Sequence, residues 1–151
     1  MEHYLLDTQI FLWHILGKFG SKLHNLLTDS NNKLYISRIS LMEIAIKSRD
    51  GKLQLLKDYE TLFGSLGNMG VKILDIDDQH LIMLSHLNYP KRETVGFDHK
   101  DPFDHLIISQ AITDGLCLIS SDENMKHYIE QGLELIKVTE KKGIAELDSR
   151  R

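Results

Sequence analysis

Short apolar runs alternate with helical patterns along most of this chain, and no other feature constrains the fold as strongly. A short apolar run bounded by turn signals predicts a buried strand, and a helical stretch between two strands predicts that they run parallel. The sequence therefore predicts an α/β fold, a three-layer α/β/α sandwich around a central parallel sheet. Strands are expected at residues 4–6, 33–37, 71–76 and 116–120, and helices at 8–16, 20–28, 40–49, 58–66, 78–87, 102–113 and 122–130.

The length of 151 residues fits one domain that buries a full core. We expect this domain to span residues 1–140, with an edge strand at residues 133–138. Residues 141–151 are charged and are predicted to form a frayed tail. Residues 88–101 are polar and form a longer connection than most, and such loops are often functional.

Charge and cysteine content exclude several classes of protein. The formal charge of −4 argues against a dedicated basic nucleic-acid binder. It does not exclude a nuclease, because the negative charge of a carboxylate site is offset by bound cations. The single cysteine, Cys117, can form neither an internal disulfide nor a zinc cluster, and it is predicted to be a small buried side chain. Because neither a signal pattern nor a membrane-spanning apolar stretch is found, a cytoplasmic protein with no membrane association is expected.

Four acidic residues fall where strands and helices meet in this predicted fold. Asp7 and Asp122 directly follow the first and fourth strands, whereas Glu43 and Asp104 lie in early turns of helices. Ligands of open α/β sheets bind outside the carboxyl ends of the strands. The four acids are therefore expected to converge on one site.

The chemistry that suits such a site is metal-assisted hydrolysis. Close carboxylates repel one another, and a divalent cation removes that conflict. Mg²⁺ prefers oxygen ligands, and Mn²⁺ accepts the same ones. Such ions activate water and stabilise the attacking and leaving oxygens of a phosphodiester displacement. No cysteine pair, Ser-His-Asp arrangement or glycine-rich phosphate loop in the sequence competes with this interpretation.

Each acid also has a structural alternative that stays open at this point. Asp7 and Asp122 could cap the helices that follow them. Glu43 could pair with Lys47, one turn further along its helix. Asp101 directly precedes a proline and is interpreted as a helix cap.

Histidines and basic residues near these acids allow weaker interpretations. His99 and His105 flank the third acidic segment, but no cysteine accompanies them in the sequence, so a solvated or capping role is favoured over a zinc site. Lys47, Arg49 and Lys52 could contact phosphates beside the site. An ordinary solvated helix end explains the same three residues equally well.

Four segments of the chain resemble the motifs of PIN domains, especially those of VapC-type toxins. They are YLLDTQIFLW at 4–13, SLMEIAIK at 40–47 followed by GKL at 51–53, HKDPFDHLIISQA at 99–111, and LISSD at 118–122. The third segment is the most specific, and the resemblance spans residues 4 to about 138. It implies a parallel sheet between helices and a Mg²⁺- or Mn²⁺-dependent endoribonuclease acting on RNA.

The resemblance also implies partners and roles for individual residues. A small cognate antitoxin is the usual partner of such toxins, and homodimers are usual. Ser120 falls where the family often has Ser or Thr near the metal, and Asp101 matches an acid that can assist through water. The acidic quartet, which is catalytic and holds the metal in the family, falls on Asp7, Glu43, Asp104 and Asp122.

The chain departs from the VapC-type subgroup at two places, and two rival hypotheses for its function stay open. Where the subgroup commonly has Arg after the Asp of the third motif, this chain has His105, which replaces a fixed cation by a titratable one. The 88–101 loop is also longer than in the subgroup. One rival is a non-catalytic PIN module that binds RNA or a protein partner. The other is a phospho-acceptor signalling domain, but Asp7 is followed by Thr8 and Gln9 rather than by a second acid.

Overall fold

A six-stranded sheet forms the centre of the protein, in a computed structural model that describes residues 2–88, 90 and 101–148. The strands lie in the order β3-β2-β1-β4-β5-β6, and all neighbours are parallel except the antiparallel pair of β5 and β6. Because β1 and β4 are central neighbours, their carboxyl ends lie side by side. The strands are β1 His3–Leu6, β2 Lys33–Ser37, β3 Val71–Leu74, β4 Cys117–Ser120, β5 Glu134–Lys141 and β6 Ile144–Leu147.

Helices cover both faces of this sheet, which confirms the predicted three-layer α/β fold. In β1, Leu6 packs into one apolar cluster and Leu5 into another, as the alternation of side chains along a strand requires. The cluster around Leu6 is covered by α1 to α4, and the cluster around Leu5 by α6 and a 3₁₀ helix. The helices are α1 Thr8–Leu16, α2 Ser21–Thr28, α3 Arg38–Arg49, α4 Tyr59–Ser65, α5 Asp78–His86, α6 Pro102–Asp114 and the 3₁₀ helix Glu123–Gln131.

The central helix α6 is buried along most of its length, from His105 to Ala111. The sequence predicted this burial because the segment is apolar nearly all round. Such a helix is packed on several sides. Among the helices of the described part of the chain, none is long and apolar enough to cross a membrane.

The C-terminal segment differs from the expectation of a frayed tail after residue 140. Strand β5 is an interior strand rather than an edge strand, because β6 pairs with it on its other side. Ala145 of β6 is fully buried, and the Glu146 carboxylate accepts the N–H groups of Lys22 and Leu23 at the start of α2. These contacts join residues far apart in sequence, so the alternating charges of the segment gave no sign of them. The predicted long loop at 88–101 lies largely outside the described residues, as does the end of the predicted tail at 149–151.

Candidate metal centre

Asp7 lies at the carboxyl end of β1, between the two central strands. Its backbone N–H donates to the carbonyl of Ile119 in β4 at 3.0 Å. The residue is only 8% exposed. One carboxylate oxygen, Oδ1, accepts the N–H of Thr8 at 2.9 Å, and Oδ2 accepts the hydroxyl of Ser120 at 2.6 Å. Asp7 therefore caps α1 and faces the end of β4 at the same time.

The pKa of Asp7 shows that an ionised carboxylate is unfavourable at this position. Burial raises the pKa from its ordinary 3.8 to about 7, because the ionised carboxylate loses its hydration. The two hydrogen bonds from Ser120 and Thr8 oppose this rise, whereas repulsion from the charges of Asp104 and Asp122 adds to it. Asp104 and Asp122 thus both lie close enough to Asp7 to make its negative charge less favourable. A cation bound among them would relieve both the lost hydration and the repulsion.

Ser120 links two of these acids through its buried hydroxyl group. The hydroxyl donates to Asp7 and accepts the backbone N–H of Asp122 at 3.0 Å. Asp122 in turn accepts the N–H of Asn124 at 2.9 Å and caps the 3₁₀ helix. The proposed capping role of Asp122 is therefore confirmed, and the residue still lies near enough to raise the pKa of Asp7.

Asp104 reaches the site from the first turn of α6. The helix begins at a proline, and Asp101 caps it by accepting the N–H groups of Phe103 at 2.9 Å and of Asp104 at 3.3 Å. This confirms the capping role predicted for Asp101. Asp101 is exposed, and its carboxylate serves the end of the helix. Asp104 is half-buried, and its negative charge raises the pKa of Asp7.

Glu43 is joined to this group by a threonine rather than by another acid. Its Oε1 lies 2.8 Å from the hydroxyl of Thr8, the residue directly after Asp7. Its Oε2 lies 3.0 Å from the ammonium of Lys47 in the same helix. The structural alternative weighed for Glu43, a pair with Lys47, is therefore present, and it coexists with a direct link to the Asp7 segment.

His105 differs from the solvated or capping role expected for it. It is only 5% exposed, and its Nε2 lies 3.2 Å from the hydroxyl of Tyr128 in the 3₁₀ helix. The reason is the burial of α6, which places the residue after Asp104 against a neighbouring element. His99, the other histidine weighed for this region, lies outside the described residues.

Sequence reasoning missed three buried polar residues: Thr8 and Ser40, which are linked to Glu43, and Tyr128, which contacts His105. Thr8 and Ser40 are buried, and their hydroxyl oxygens lie 2.8 Å apart. A buried polar group needs a hydrogen-bond partner. A hydroxyl residue next to an acid, at the end of an apolar strand, was the available signal for Thr8. Tyr128 had no comparable signal, because its partner lies 23 positions earlier in the chain.

The donor set of this site fits a hard divalent cation. The groups that meet are carboxylates and hydroxyls, which are oxygen ligands of the kind that Mg²⁺ and Mn²⁺ take. Within residues 2–88, 90 and 101–148, no three His, Cys, Asp or Glu side chains stand in a ready ligand arrangement. Mg²⁺ does not require one, because it commonly takes one or two carboxylates and completes its shell with water and substrate phosphate.

Known structures share this fold across most of their length. One is a chain of the VapBC2 structure from Rickettsia felis bound to a promoter DNA fragment, with a TM-score of 0.65, 23% identity, and coverage of 97% of this chain and 99% of that chain. Another is the DNA-bound VapBC from Salmonella typhimurium, with a TM-score of 0.63, 21% identity, and coverage of 91% and 98%. A third is VapBC-5 from Mycobacterium tuberculosis, a member of the VapBC family of toxin-antitoxin systems, with a TM-score of 0.59, 18% identity, and coverage of 91% and 100%.

Family comparison leads to a firmer assignment than these distant structural likenesses. Among curated proteins, none matches the sequence significantly. The family model described as the PIN domain matches residues 4–130, which include all four acids of the candidate site. The chain therefore belongs to the PIN domain family.

Proposed function

We propose that this protein is a Mg²⁺- or Mn²⁺-dependent endoribonuclease and the toxin of a toxin–antitoxin pair. The observation that carries the proposal is the buried carboxylate of Asp7, whose pKa is raised to about 7 by burial and by Asp104 and Asp122. Buried groups with strongly shifted pKa values are concentrated at functional sites of proteins. Membership of the PIN domain family supports a nuclease in particular.

In this proposal Asp7, Glu43, Asp104 and Asp122 hold the cation. When bound, the cation activates water and stabilises the charge that develops on the phosphodiester oxygens. Ser120 keeps the Asp7 carboxylate oriented through its 2.6 Å hydrogen bond. We assign Asp122 a more peripheral place than Asp104, because it also caps the 3₁₀ helix and has the smaller of the two repulsive effects on Asp7.

The proposed partners follow from the structural neighbours and from charge. The similar structures include VapBC complexes, and VapBC-5 is described as a toxin–antitoxin system. A site lined by carboxylates attracts a basic peptide segment, and such a segment of an antitoxin would block the cation ligands. We also propose that the protein forms a homodimer and acts on RNA in the cytoplasm.

A second candidate function is a PIN module that binds RNA or a protein without cleaving it. The observation in its favour is that Glu43 already has both carboxylate oxygens occupied by groups of the chain. Activity distinguishes the two candidates, because the non-catalytic module needs no cation and no ionised Asp7.

A cleavage assay with purified protein and RNA tests the proposal. Cleavage should require Mg²⁺ or Mn²⁺ and stop with EDTA. The variants Asp7→Asn, Glu43→Gln and Asp104→Asn should each reduce the rate by about a hundredfold or more, because each removes a ligand charge and keeps the side-chain shape. Asp122→Asn should have a smaller effect.

Asp101→Asn is the matched control for this assay. It removes an acid three residues from Asp104, but asparagine still caps a helix, so the rate should stay close to that of the wild type. Full activity in Asp7→Asn or in EDTA would exclude the proposed site. A complete absence of cleavage on varied RNA substrates would favour the non-catalytic module.

A further inference from the structure

The two oxygens of the Glu43 carboxylate are held from opposite sides. Thr8 contacts Oε1 from the buried side at 2.8 Å, and Lys47 contacts Oε2 from the solvent side at 3.0 Å. The Glu43 side chain is 18% exposed and that of Lys47 is 49% exposed. The carboxylate therefore lies at the boundary between the core and the solvent.

The contact on the buried side has a fixed direction. Thr8 Oγ1 lies 2.8 Å from both Glu43 Oε1 and Ser40 Oγ, and a hydroxyl has only one proton to donate. An ionised carboxylate can only accept, so Thr8 donates to Glu43 and accepts from Ser40. Because Thr8 and Ser40 are both buried, this short chain of hydroxyls anchors Oε1 firmly.

The contact on the solvent side is of a different kind. Lys47 carries a strongly hydrated charge on a flexible stem, and it follows Glu43 by one helical turn. A partly exposed pair of this type contributes about 1 kcal/mol or less, so another cation can replace the ammonium. A cation that approaches Glu43 from the solvent therefore meets one fixed oxygen and one oxygen already occupied by an ammonium.

We propose that Lys47 is a built-in counterion of Glu43 that a divalent cation must displace, while Thr8 holds the carboxylate in place. This inference rests on the proposed function, since it assigns Glu43 to the cation site. It makes Thr8 a positioning residue and Lys47 a competitor of the cation. Because Lys47 competes for Glu43, the protein binds the cation more weakly than it would without the Lys47 ammonium.

Titration of Mn²⁺ into the metal-free protein at pH 8, followed by calorimetry, tests the inference. Lys47→Met should bind Mn²⁺ about two- to fivefold more tightly than the wild type, the factor that corresponds to a partly exposed ion pair. Lys47→Arg should bind like the wild type, because the counterion is kept. Weaker or unchanged Mn²⁺ binding in Lys47→Met would overturn the proposal.

Arg49→Met is the matched control for this change in charge. Arg49 lies on the same helix and pairs at 3.0 Å with Asp50, which is not one of the proposed ligands. Its removal lowers the net charge by the same amount and should leave Mn²⁺ affinity unchanged. If Arg49→Met and Lys47→Met increase Mn²⁺ affinity equally, the change in net charge alone explains the effect, and the proposal is overturned.

A double-mutant cycle separates this inference from the proposed function. In a Glu43→Gln background, Lys47→Met should no longer tighten Mn²⁺ binding, because the contested carboxylate is gone. If Glu43→Gln alone leaves Mn²⁺ affinity unchanged, the assignment of Glu43 to the site fails instead. Thr8→Val should weaken Mn²⁺ binding and Thr8→Ser should retain it, whereas equal binding by both would exclude the anchoring role of the hydroxyl.

Discussion

Asp7→Asn should stabilise the metal-free protein at alkaline pH, although it removes two charge-assisted hydrogen bonds. In the folded protein the pKa of Asp7 is raised from 3.8 to about 7, so the folded state holds this proton more tightly than the unfolded chain does. The contribution of Asp7 to stability is therefore fully present below about pH 4 and is lost as the pH rises through about 7. At pH 8 the wild type must keep an ionised carboxylate in a buried place.

The size of the effect follows from the same pKa. A rise from 3.8 to about 7 corresponds to about 4 kcal/mol between the two protonation states. Asparagine carries no charge, but its amide matches the contacts with Thr8 and Ser120 less well, at a cost of about 1 kcal/mol. Asp7→Asn should thus raise the free energy of unfolding by about 3 kcal/mol at pH 8. At pH 5 the gain should be only about 0.6 kcal/mol, because ionisation of the unfolded chain between pH 3.8 and 5 has by then cost the wild type about 1.6 kcal/mol, and the poorer contacts of asparagine offset about 1 kcal/mol of this.

Urea denaturation of both proteins in EDTA, at several pH values from 5 to 8, measures this difference. The gain should grow from pH 5 to about pH 7 and level off above it, where the folded wild type is ionised as well. Saturating Mn²⁺ should reverse the order at pH 8, because only the wild type then gains binding energy in its folded state. A difference between the two proteins that does not vary with pH, or a loss of stability in Asp7→Asn at pH 8, would refute the raised pKa and the argument built on it.

Two further expectations concern the support of the site and its partner. Ser120→Ala should lower the free energy of unfolding by about 1–3 kcal/mol, because the partly buried Asp122 N–H and the buried Asp7 carboxylate each lose a partner. It should also move the pH optimum of cleavage upwards, because a hydrogen bond that lowers the pKa of Asp7 is lost. An unchanged pH profile of the rate would exclude this role for Ser120. Co-expression with the adjacent gene should yield a stable complex, and expression of the protein alone should slow growth. Recovery of uncomplexed protein without any growth defect would contradict the toxin assignment.

Local patterns allowed much of the fold and of the site to be predicted from the sequence. The cap at Asp101 and the start of α6 were predicted because a capping acid followed by proline acts within one turn of helix. The parallel order of strands followed from their alternation with helices, and the positions of Asp7 and Asp122 followed from the ends of apolar strands.

Contacts between residues far apart in the sequence could not be predicted from such local patterns. Thr8 meets Glu43 across 35 positions and Tyr128 meets His105 across 23, and no local rule specifies either pair. Strand β6 was missed for the same reason, since its contact with the start of α2 spans more than 120 positions. Long-range hydrogen bonds of this kind are decided by packing, so they become visible only once the layers have been assembled.

We propose that a cation held by carboxylates at the carboxyl ends of β1 and β4 directs a water molecule to cleave RNA. The most direct test is the chemistry of the product ends after cleavage in Mn²⁺, with Asp7→Asn as the inactive control. Attack by water that displaces the 3′ oxygen leaves a 5′-phosphate and a 3′-hydroxyl, and we expect these ends. A 2′,3′-cyclic phosphate would mean that the RNA's own hydroxyl attacks, and it would contradict the claim.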